Sequence, residues 1–138
     1  MPRIIALDYG TKRVGIAVTD PMQMIAKPLD TIHSKDIINY LQQYMAKEEV
    51  EAIVLGMPKR LDNTATHATQ HVIGFHRKLL KLFPTLSITL ADERFTSKIA
   101  FNAMIDGGLS KKARRVKGMV DKLSATIILQ SYLEQTNT

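Results

Sequence analysis

Three short apolar runs determine much of what this chain can fold into. They cover residues 3–8, 51–57 and 86–90, and each is followed by polar or turn-forming residues. Runs of this length that are rich in β-branched and aliphatic residues are typical of buried strands. One amphipathic helical pattern precedes the second run, and another lies between the second and the third. This alternation predicts an α/β fold with a sheet at its centre.

A β-hairpin is predicted at the start of the chain. The run at 3–8 leads into the turn-like sequence Tyr9-Gly10-Thr11-Lys12, and residues 14–19 then alternate between branched apolar and smaller residues. This alternation indicates a second strand, and the short connection pairs it antiparallel with the first. Residues 27–32 supply a short third strand. The hairpin makes the predicted sheet mixed rather than parallel.

Four helices are predicted from apolar residues at helical spacing and from start and stop signals. Ser34 is placed to cap the first helix, Pro84 ends the second, and Gly107-Gly108 ends the third. The order β-β-β-α-β-α-β-α-α predicts a mixed five-stranded sheet with helices on both faces, in a single domain over residues 1–138. The predicted helices cover 35–47, Thr64 or Thr66 to about Phe83, 96–106, and near Gly118 to about Glu134.

The length and the lack of cysteine narrow the class of protein. A chain of 138 residues fits one domain with a buried core. It contains no cysteine, which excludes a disulfide scaffold, thiolate zinc sites and cysteine catalysis. No apolar run approaches the roughly 20 residues of a membrane span, and the first residues do not resemble a signal peptide. We expect a cytoplasmic protein with no membrane partner.

Basic residues indicate a polyanionic partner. Lysine and arginine number 19 against 13 aspartate and glutamate residues, which gives a formal net charge of +6. Basic side chains beside phosphates release condensed counterions, and this favours nucleic-acid binding. Lys59 and Arg60 follow the strand at 51–57, where they either bind phosphate or belong to an ordinary strand-to-helix turn. A predicted loop at 109–117 either wraps phosphate or is simply solvated. It contains five more basic residues: Lys111, Lys112, Arg114, Arg115 and Lys117.

Three carboxylate positions are candidates for chemistry. Asp8 ends the first strand, Glu93 lies in Asp92-Glu93-Arg94 directly after the strand at 86–90, and Asp121 falls in the first turn of the last helix. Ligands bind at the carboxyl ends of strands in open α/β sheets. Each position also has a plainer interpretation when taken singly. Asp8 could cap a turn, Glu93 could belong to a surface ion pair with Arg94, and Asp121 could be an ordinary helix-start residue, an alternative that is strongest for Asp121.

Convergence of the three carboxylates would predict a metal site. If they converge, their mutual repulsion would raise the pKa of at least one of them, and a divalent cation would relieve that repulsion. Oxygen ligands suit the hard ions magnesium and manganese. Two such ions held about 4 Å apart can activate water and stabilise the leaving oxygen during phosphodiester hydrolysis. The set therefore favours a metal-dependent nuclease.

Other reactive residue types fit plainer roles. His67 and His71 are four residues apart on one predicted helix, but no third ligand is near them in sequence, so we interpret them as a surface pair. Ser124 lies close to Asp121 without a neighbouring histidine to act as its base. We interpret Ser124 as a helix-packing residue.

Four motifs, in order along the chain, resemble those of the YqgF family, also called RuvX. They are DYGTKRVGIAVTD at 8–20, GMP at 56–58, DERFTS at 92–97 and KGMVDKLSA at 117–125. Each motif alone is moderately specific, but the four together are specific and extend from the first strand to the last helix. One departure is Asn63, which stands where the family loop commonly has glycine. Asparagine tolerates a positive φ better than most residues do.

The resemblance implies an RNase H-like fold of the RuvC type and a hydrolase that acts on ester bonds. It implies that Asp8, Glu93 and Asp121 are the catalytic, metal-binding residues, with Mg²⁺ or Mn²⁺ as cofactor. Family members are described as Holliday junction resolvases and as nucleases that process the 5′ end of pre-16S ribosomal RNA. The residues expected to bind substrate phosphates are Lys12, Arg13, Lys59, Arg60, Arg94, Lys111, Lys112, Arg114, Arg115 and Lys117.

We expect a metal-dependent endonuclease that processes the 5′ end of pre-16S rRNA. Its partners would be structured RNA or branched DNA, together with ribosomal precursor particles. Junction resolution is the first alternative, but it needs two symmetric cuts, and no dimer interface can be read from the sequence. We therefore expect a monomer or a weak dimer.

Two other functions remain open at this point. A non-catalytic nucleic-acid-binding module would keep the basic loop without cleavage. A phosphotransferase or ATPase is suggested by the resemblance of the Asp8-x-Gly-Thr hairpin to the first phosphate loop of the actin and sugar kinase superfamily. Those proteins enclose ATP between two lobes, and 138 residues supply only one.

Overall fold

Five strands form one mixed sheet in the part of the chain that the structure describes. The structure is a computed structural model, and it describes residues 2–10, 12–57, 67–92 and 117–136. The strand order is β3-β2-β1-β4-β5, with β1 antiparallel to β2 and parallel to β4. The mixed five-stranded sheet predicted from the sequence is confirmed. The strands are β1 (Arg3–Tyr9), β2 (Arg13–Thr19), β3 (Ala26–His33), β4 (Val50–Met57) and β5 (Ser87–Asp92).

Helices cover both faces of this sheet, as the sequence predicts. Buried residues of α1 and α2 form one apolar cluster with the sheet, and buried residues of α3 form a second cluster with its other face. No helix within the described ranges is long and apolar enough to cross a membrane. The helices are α1 (Ile37–Lys47), α2 (His67–Leu82) and α3 (Lys117–Thr136), and the 3-10 turn Ser34–Asp36 precedes α1.

The central strand β1 contributes to both clusters. Ile5 and Leu7 pack with α1 and α2, whereas Ile4 and Ala6 pack with α3. Successive side chains of a strand point to opposite faces, so a strand with helices on both sides must be apolar at nearly every position. The α3 face includes small residues at its centre, where Ala6 pairs with Ala17 across the two strands and both are fully buried. Small side chains let α3 lie close to the sheet.

The start of α1 differs from the sequence prediction. Ser34 does not cap a helix over 35–47; it begins a 3-10 turn, and α1 proper starts at Ile37. The cap is His33, whose Nδ1 accepts a hydrogen bond from the backbone N–H of Lys35 at 3.2 Å. Histidine is a less common cap than serine, so residue type alone favoured the wrong neighbour.

Two boundaries near the predicted site also need correction. The strand predicted at 86–90 is β5, which continues to Asp92, so Asp92 is part of the strand rather than the residue after it. The last helix begins at Lys117, so Lys117 is helical and not in a loop, and Asp121 falls in the second turn instead of the first. The predicted helix at 96–106 and the basic residues 111–115 lie outside the described residues.

The edge strand β3 is irregular. Its register with β2 shifts between Ile16 and Ala17, which pair with Asp30 and Pro28, so Leu29 is an extra residue on the β3 side. Proline has no backbone N–H to donate, and it is therefore found in edge strands and at bulges. Pro28 is both in an edge strand and next to a bulge.

A buried hydroxyl joins β2 to the start of β1. The Thr19 Oγ1 accepts a hydrogen bond from the backbone N–H of Ile4 at 2.9 Å, and Thr19 is fully buried. The N–H of Ile4 lies where the β1–β4 register shifts, between Arg3 and Ile4. The side chain of Thr19 therefore supplies an acceptor at an irregular point of the ladder.

Thr19→Val should destabilise the fold by about 1–3 kcal/mol, because it leaves the buried N–H of Ile4 without its acceptor. Urea unfolding monitored by circular dichroism measures the change. Thr19→Ser is the matched control, because it keeps the oxygen and removes one methyl group, at a cost of about 0.8 kcal/mol. A valine variant as stable as the wild type would contradict this account of the hydroxyl.

Candidate active site

The carboxyl ends of three parallel strands lie at one edge of the sheet. β4 is parallel to both β1 and β5, and the register aligns Leu7 with Leu55 and Leu55 with Leu90. Asp8 follows Leu7 on β1, and Met57 at the end of β4 pairs with Asp92 at the end of β5. This edge is where open α/β sheets bind their ligands. The first three motifs found in the sequence therefore begin or end at the same edge.

Asp8 lies on the face of the sheet that α3 covers. Side chains alternate along a strand, so Asp8 is on the same face as Ile4 and Ala6, which pack against α3. We call residues that share a face in this way residues of the same strand parity. Asp8 is half-buried. Its antiparallel partner on β2 is Gly15, which has no side chain, so nothing from β2 stands directly opposite the carboxylate. A carboxylate on this largely apolar face costs free energy unless it is solvated, paired or metal-bound.

The turn that follows Asp8 is tight because position 10 is glycine. The Gly10 N–H donates a hydrogen bond to the carbonyl oxygen of Arg13 at 2.9 Å. A Cβ added at Gly10 would lie 2.8 Å from that same oxygen, closer than real Cβ atoms approach. The Lys12 carbonyl in turn accepts from the N–H of Ser34 at 3.0 Å, which ties the turn to the end of β3. The glycine in the motif thus holds the hairpin closed two residues after Asp8.

The second predicted carboxylate follows β5. Position 92 has the strand parity of Ile88, which packs with the α1 and α2 cluster, whereas Ala91 packs with the α3 cluster. Position 92 therefore belongs to the face opposite Asp8. Glu93 and Arg94 lie outside the described residues.

The third predicted carboxylate is on α3. Asp121 is one helical turn before Ala125, which is fully buried against the sheet together with Leu129. Residues four apart share one face of a helix, so position 121 continues the sheet-facing row of α3 toward its amino end. The favourable interaction of a carboxylate with the helix dipole is confined to the first turn. Because Asp121 is in the second turn, this interaction is a weaker explanation for an acidic residue at that position.

The structure describes only part of the predicted phosphate-binding set. Lys12 is exposed in the hairpin turn, and Arg13 is half-buried at the start of β2, where it pairs with His33. Both lie at the same edge of the sheet as the end of β1. Lys117 opens α3. The others lie outside the described residues: Lys59, Arg60, Arg94, Lys111, Lys112, Arg114 and Arg115.

The chemistry of the candidate ligands suits a hard divalent cation. Asp8, Glu93 and Asp121 offer only carboxylate oxygens, the donor type that magnesium and manganese prefer. Within residues 2–10, 12–57, 67–92 and 117–136, no three acidic or histidine side chains form a group that could hold a metal. His71 is exposed, and Ser124, interpreted as a packing residue, is buried.

A cleft on the opposite face was not anticipated from the sequence. It has a volume of about 360 Å³ and lies beside Tyr9, whose ring stacks on Phe75 with centroids 4.2 Å apart. Burial raises the pKa of the Tyr9 hydroxyl, so it remains protonated at neutral pH. Gly74, in the middle of α2, was the available sequence signal, because glycine is unfavourable inside a helix. The lining residues are Tyr9, Ser34, Lys35, Ile37, Ile38, Gly74, Phe75 and Lys78.

Comparison with solved structures defines the class of fold. T. thermophilus RuvC, solved in complex with a Holliday junction substrate, aligns with this chain at a TM-score of 0.59 and 16% identity. The alignment covers 100% of this chain and 98% of that protein. The chain therefore has the RNase H-like fold of RuvC, as the sequence resemblance implied. Nucleases of this fold generally use divalent metal ions.

This chain belongs to the RuvX family. The family model, described as "RuvX: Holliday junction resolvase", matches residues 2–135. A protein of Christiangramia forsetii named "Putative pre-16S rRNA nuclease" is 50% identical over 133 residues, which are 96% of this chain and 98% of that protein. A protein of Bacteroides thetaiotaomicron with the same name is 48% identical over 134 residues, 97% of each chain. The resemblance seen in the four motifs is confirmed.

Gly10→Ala should destabilise the protein by about 1–3 kcal/mol, because the new methyl group forces the Arg13 carbonyl away from the turn. Thermal unfolding measures the loss. Gly74→Ala is the matched control: nothing lies within 4 Å of its added Cβ. A glycine-to-alanine change inside a helix stabilises by about 0.5–1 kcal/mol. Equal effects of the two variants would show that the close approach at Gly10 is unimportant.

Proposed function

We propose that this chain is a metal-dependent endonuclease that processes the 5′ end of pre-16S rRNA. The observation that carries the proposal is Asp8, a carboxylate at the carboxyl end of the central strand in a chain of the RuvX family. Relatives that are about half identical over nearly the whole chain bear the name of a pre-16S rRNA nuclease. The net charge of +6 suits a nucleic-acid substrate. Ribosomal precursors are made in the cytoplasm, where the proposal places the protein.

Asp8, Glu93 and Asp121 are proposed to hold Mg²⁺ or Mn²⁺ at the carboxyl edge of the sheet. Two features support this set: Asp8 has the parity of the α3 face, and position 121 lies on the sheet-facing row of α3. When bound, such an ion supplies activation of the attacking water and charge neutralisation at the leaving oxygen. The Asp8 carboxylate would also orient that water by accepting a hydrogen bond from it.

Strand alternation argues against Asp92 as the second carboxylate. Position 92 shares the parity of Ile88 on the α1 and α2 face, whereas Asp8 is on the α3 face. The resemblance to the family supplies the adjacent Glu93 as the candidate from the same motif. Glu93 is therefore the proposed metal ligand of this motif, and Asp92 is not.

Basic residues are proposed to hold the substrate backbone beside these carboxylates. Lys12 and Arg13 lie in and after the turn that follows Asp8, at the same edge of the sheet. Contacts to phosphate position a nucleic acid without reading its sequence. The same role is proposed for the remaining members of the set: Lys59, Arg60, Arg94, Lys111, Lys112, Arg114, Arg115 and Lys117.

Holliday junction resolution is the second candidate, and the description of the family model favours it. Resolution requires two symmetric cuts and hence two copies of the chain, whereas trimming an RNA end requires one. Cleavage of a labelled pre-16S 5′ leader and of a four-way DNA junction, measured side by side, separates the two. Sedimentation of the sample on each substrate gives the number of copies bound.

Asp8→Asn should abolish cleavage of the preferred substrate while leaving the fold intact. Changing partners of metal ligands costs about 10–100-fold, so removal of a ligand itself should cost at least about 100-fold. The assay contains magnesium or manganese, and chelation with EDTA should stop the wild-type enzyme to the same degree. Full activity of Asp8→Asn, with an unchanged circular dichroism spectrum, would contradict the assignment.

Glu93→Gln and Asp92→Asn form a matched pair of adjacent variants. We expect Glu93→Gln to lose cleavage by about 100-fold or more, because it removes a proposed ligand. Asp92→Asn should stay within a few-fold of the wild type. The reverse order would place the metal on the α1 and α2 face and would refute the argument from strand parity.

A further inference from the structure

We propose that the cleft beside Tyr9 binds an unpaired nucleotide of the RNA substrate, on the opposite face of the sheet from Asp8. This inference rests on the proposed function and adds a substrate subsite to it. The volume of about 360 Å³ is within the range of small-ligand sites. The walls combine two lysines, a serine and a tyrosine with apolar surface. That is the mixture that a phosphate, a sugar and a base require.

Gly74 is the first reason to regard the cleft as a binding site. It lies in the middle of α2, where glycine destabilises a helix relative to alanine. Close packing does not explain it, because nothing lies within 4 Å of an added Cβ. The glycine does, however, line the cleft. Its effect is to leave room where any other residue would project a side chain.

The cations of the cleft come from two separate elements. Lys78 is one helical turn after Gly74 on the same face of α2, and Lys35 lies in the 3-10 turn before α1. Both lysines are exposed. The backbone N–H of Lys35 is already bonded to His33. The ammonium groups are therefore what these residues offer to a phosphate.

The aromatic side of the cleft is fixed in place. Tyr9 and Phe75 stack with an interplanar angle of 14°, and Phe75 is buried in the core, so the Tyr9 ring cannot turn freely. Within the described residues, the Tyr9 hydroxyl has no hydrogen-bond partner. A rigid aromatic surface with a free donor binds a base or a sugar at little entropic cost.

The position of Tyr9 links the cleft to the candidate active site. Tyr9 directly follows Asp8, and adjacent residues of a strand point to opposite faces. A nucleic-acid strand that crosses the carboxyl edge of β1 would therefore meet Asp8 on one side and the cleft on the other. Bases in an A-form duplex are paired and stacked, so only an unpaired nucleotide can enter. The cleft would thus favour a junction between paired and single-stranded RNA.

Binding to RNA in EDTA tests the inference without depending on catalysis. The probe is a fluorescein-labelled single-stranded RNA of about 12 nucleotides, compared with the same sequence in a hairpin stem. Lys35→Gln and Lys78→Gln should each weaken single-strand binding several-fold and together lower the salt slope by about 1.4. Lys81→Gln, on the same helix but outside the cleft, is the matched control. An equal loss in Lys81→Gln would overturn the cleft assignment.

Gly74→Leu tests whether the open volume of the cleft is needed for RNA binding. Its side chain should fill the cleft without a clash, keep the circular dichroism spectrum, and weaken single-strand binding by about tenfold or more, with hairpin-stem binding unchanged. Unchanged single-strand binding by Gly74→Leu would overturn the inference. If the wild type still cleaves its substrate in that case, the proposed function stands and only the cleft assignment falls. If the wild type never cleaves but these variants show the expected losses, the proposed function falls and the cleft stands.

Discussion

The rest of the structure depends on the burial of β1 from both sides. β1 has neighbours on each edge, β2 and β4, and helices on each face. Four consecutive residues, from Ile4 to Leu7, are buried as a result. The next two residues toward the carboxyl end, Asp8 and Tyr9, are half-buried. A polar side chain placed there has a rigid base on one side and access to ligand on the other.

The same strand supplies two chemically different sites because its side chains alternate. Asp8 continues the row of Ile4 and Ala6 under α3, and Tyr9 continues the row of Ile5 and Leu7 under α1 and α2. Neither side chain can change face without a one-residue slip in register. Such a slip would move every apolar side chain of β1 to the opposite face of the sheet. The turn at Gly10, closed by its hydrogen bond to Arg13, helps to fix the register of the hairpin. Fold stability and site geometry are therefore set by the same few residues.

Much of the sheet was predictable, because apolar runs and their alternation report burial directly. The runs at 3–8 and 51–57 are strands almost at their predicted bounds. β5 continues further than predicted, because Ala91 and Asp92 pair with the end of β4 and the partly buried Ala91 packs against the α3 cluster. Both contacts join residues that are distant in sequence. The His33 cap and the Gly74 cleft were missed for the same reason: each depends on what an element meets after folding. Asp8 was placed correctly near the carboxyl end of a central strand, although that strand includes Tyr9, which the sequence assigned to the turn. The faces of positions 92 and 121 required the register and the helix start.

The irregular strand β3 has a consequence for how copies of this chain meet. A regular edge strand offers a row of unpaired N–H and C=O groups to any other strand. Pro28 removes one donor from that row, the extra residue Leu29 breaks its spacing, and Lys27 adds an exposed charge. Two sheets cannot join there into a continuous ten-stranded sheet without loss of hydrogen bonds. Strand β3 therefore has two effects: it protects the edge of the sheet against pairing with another copy, and its end is hydrogen-bonded to the turn that follows β1.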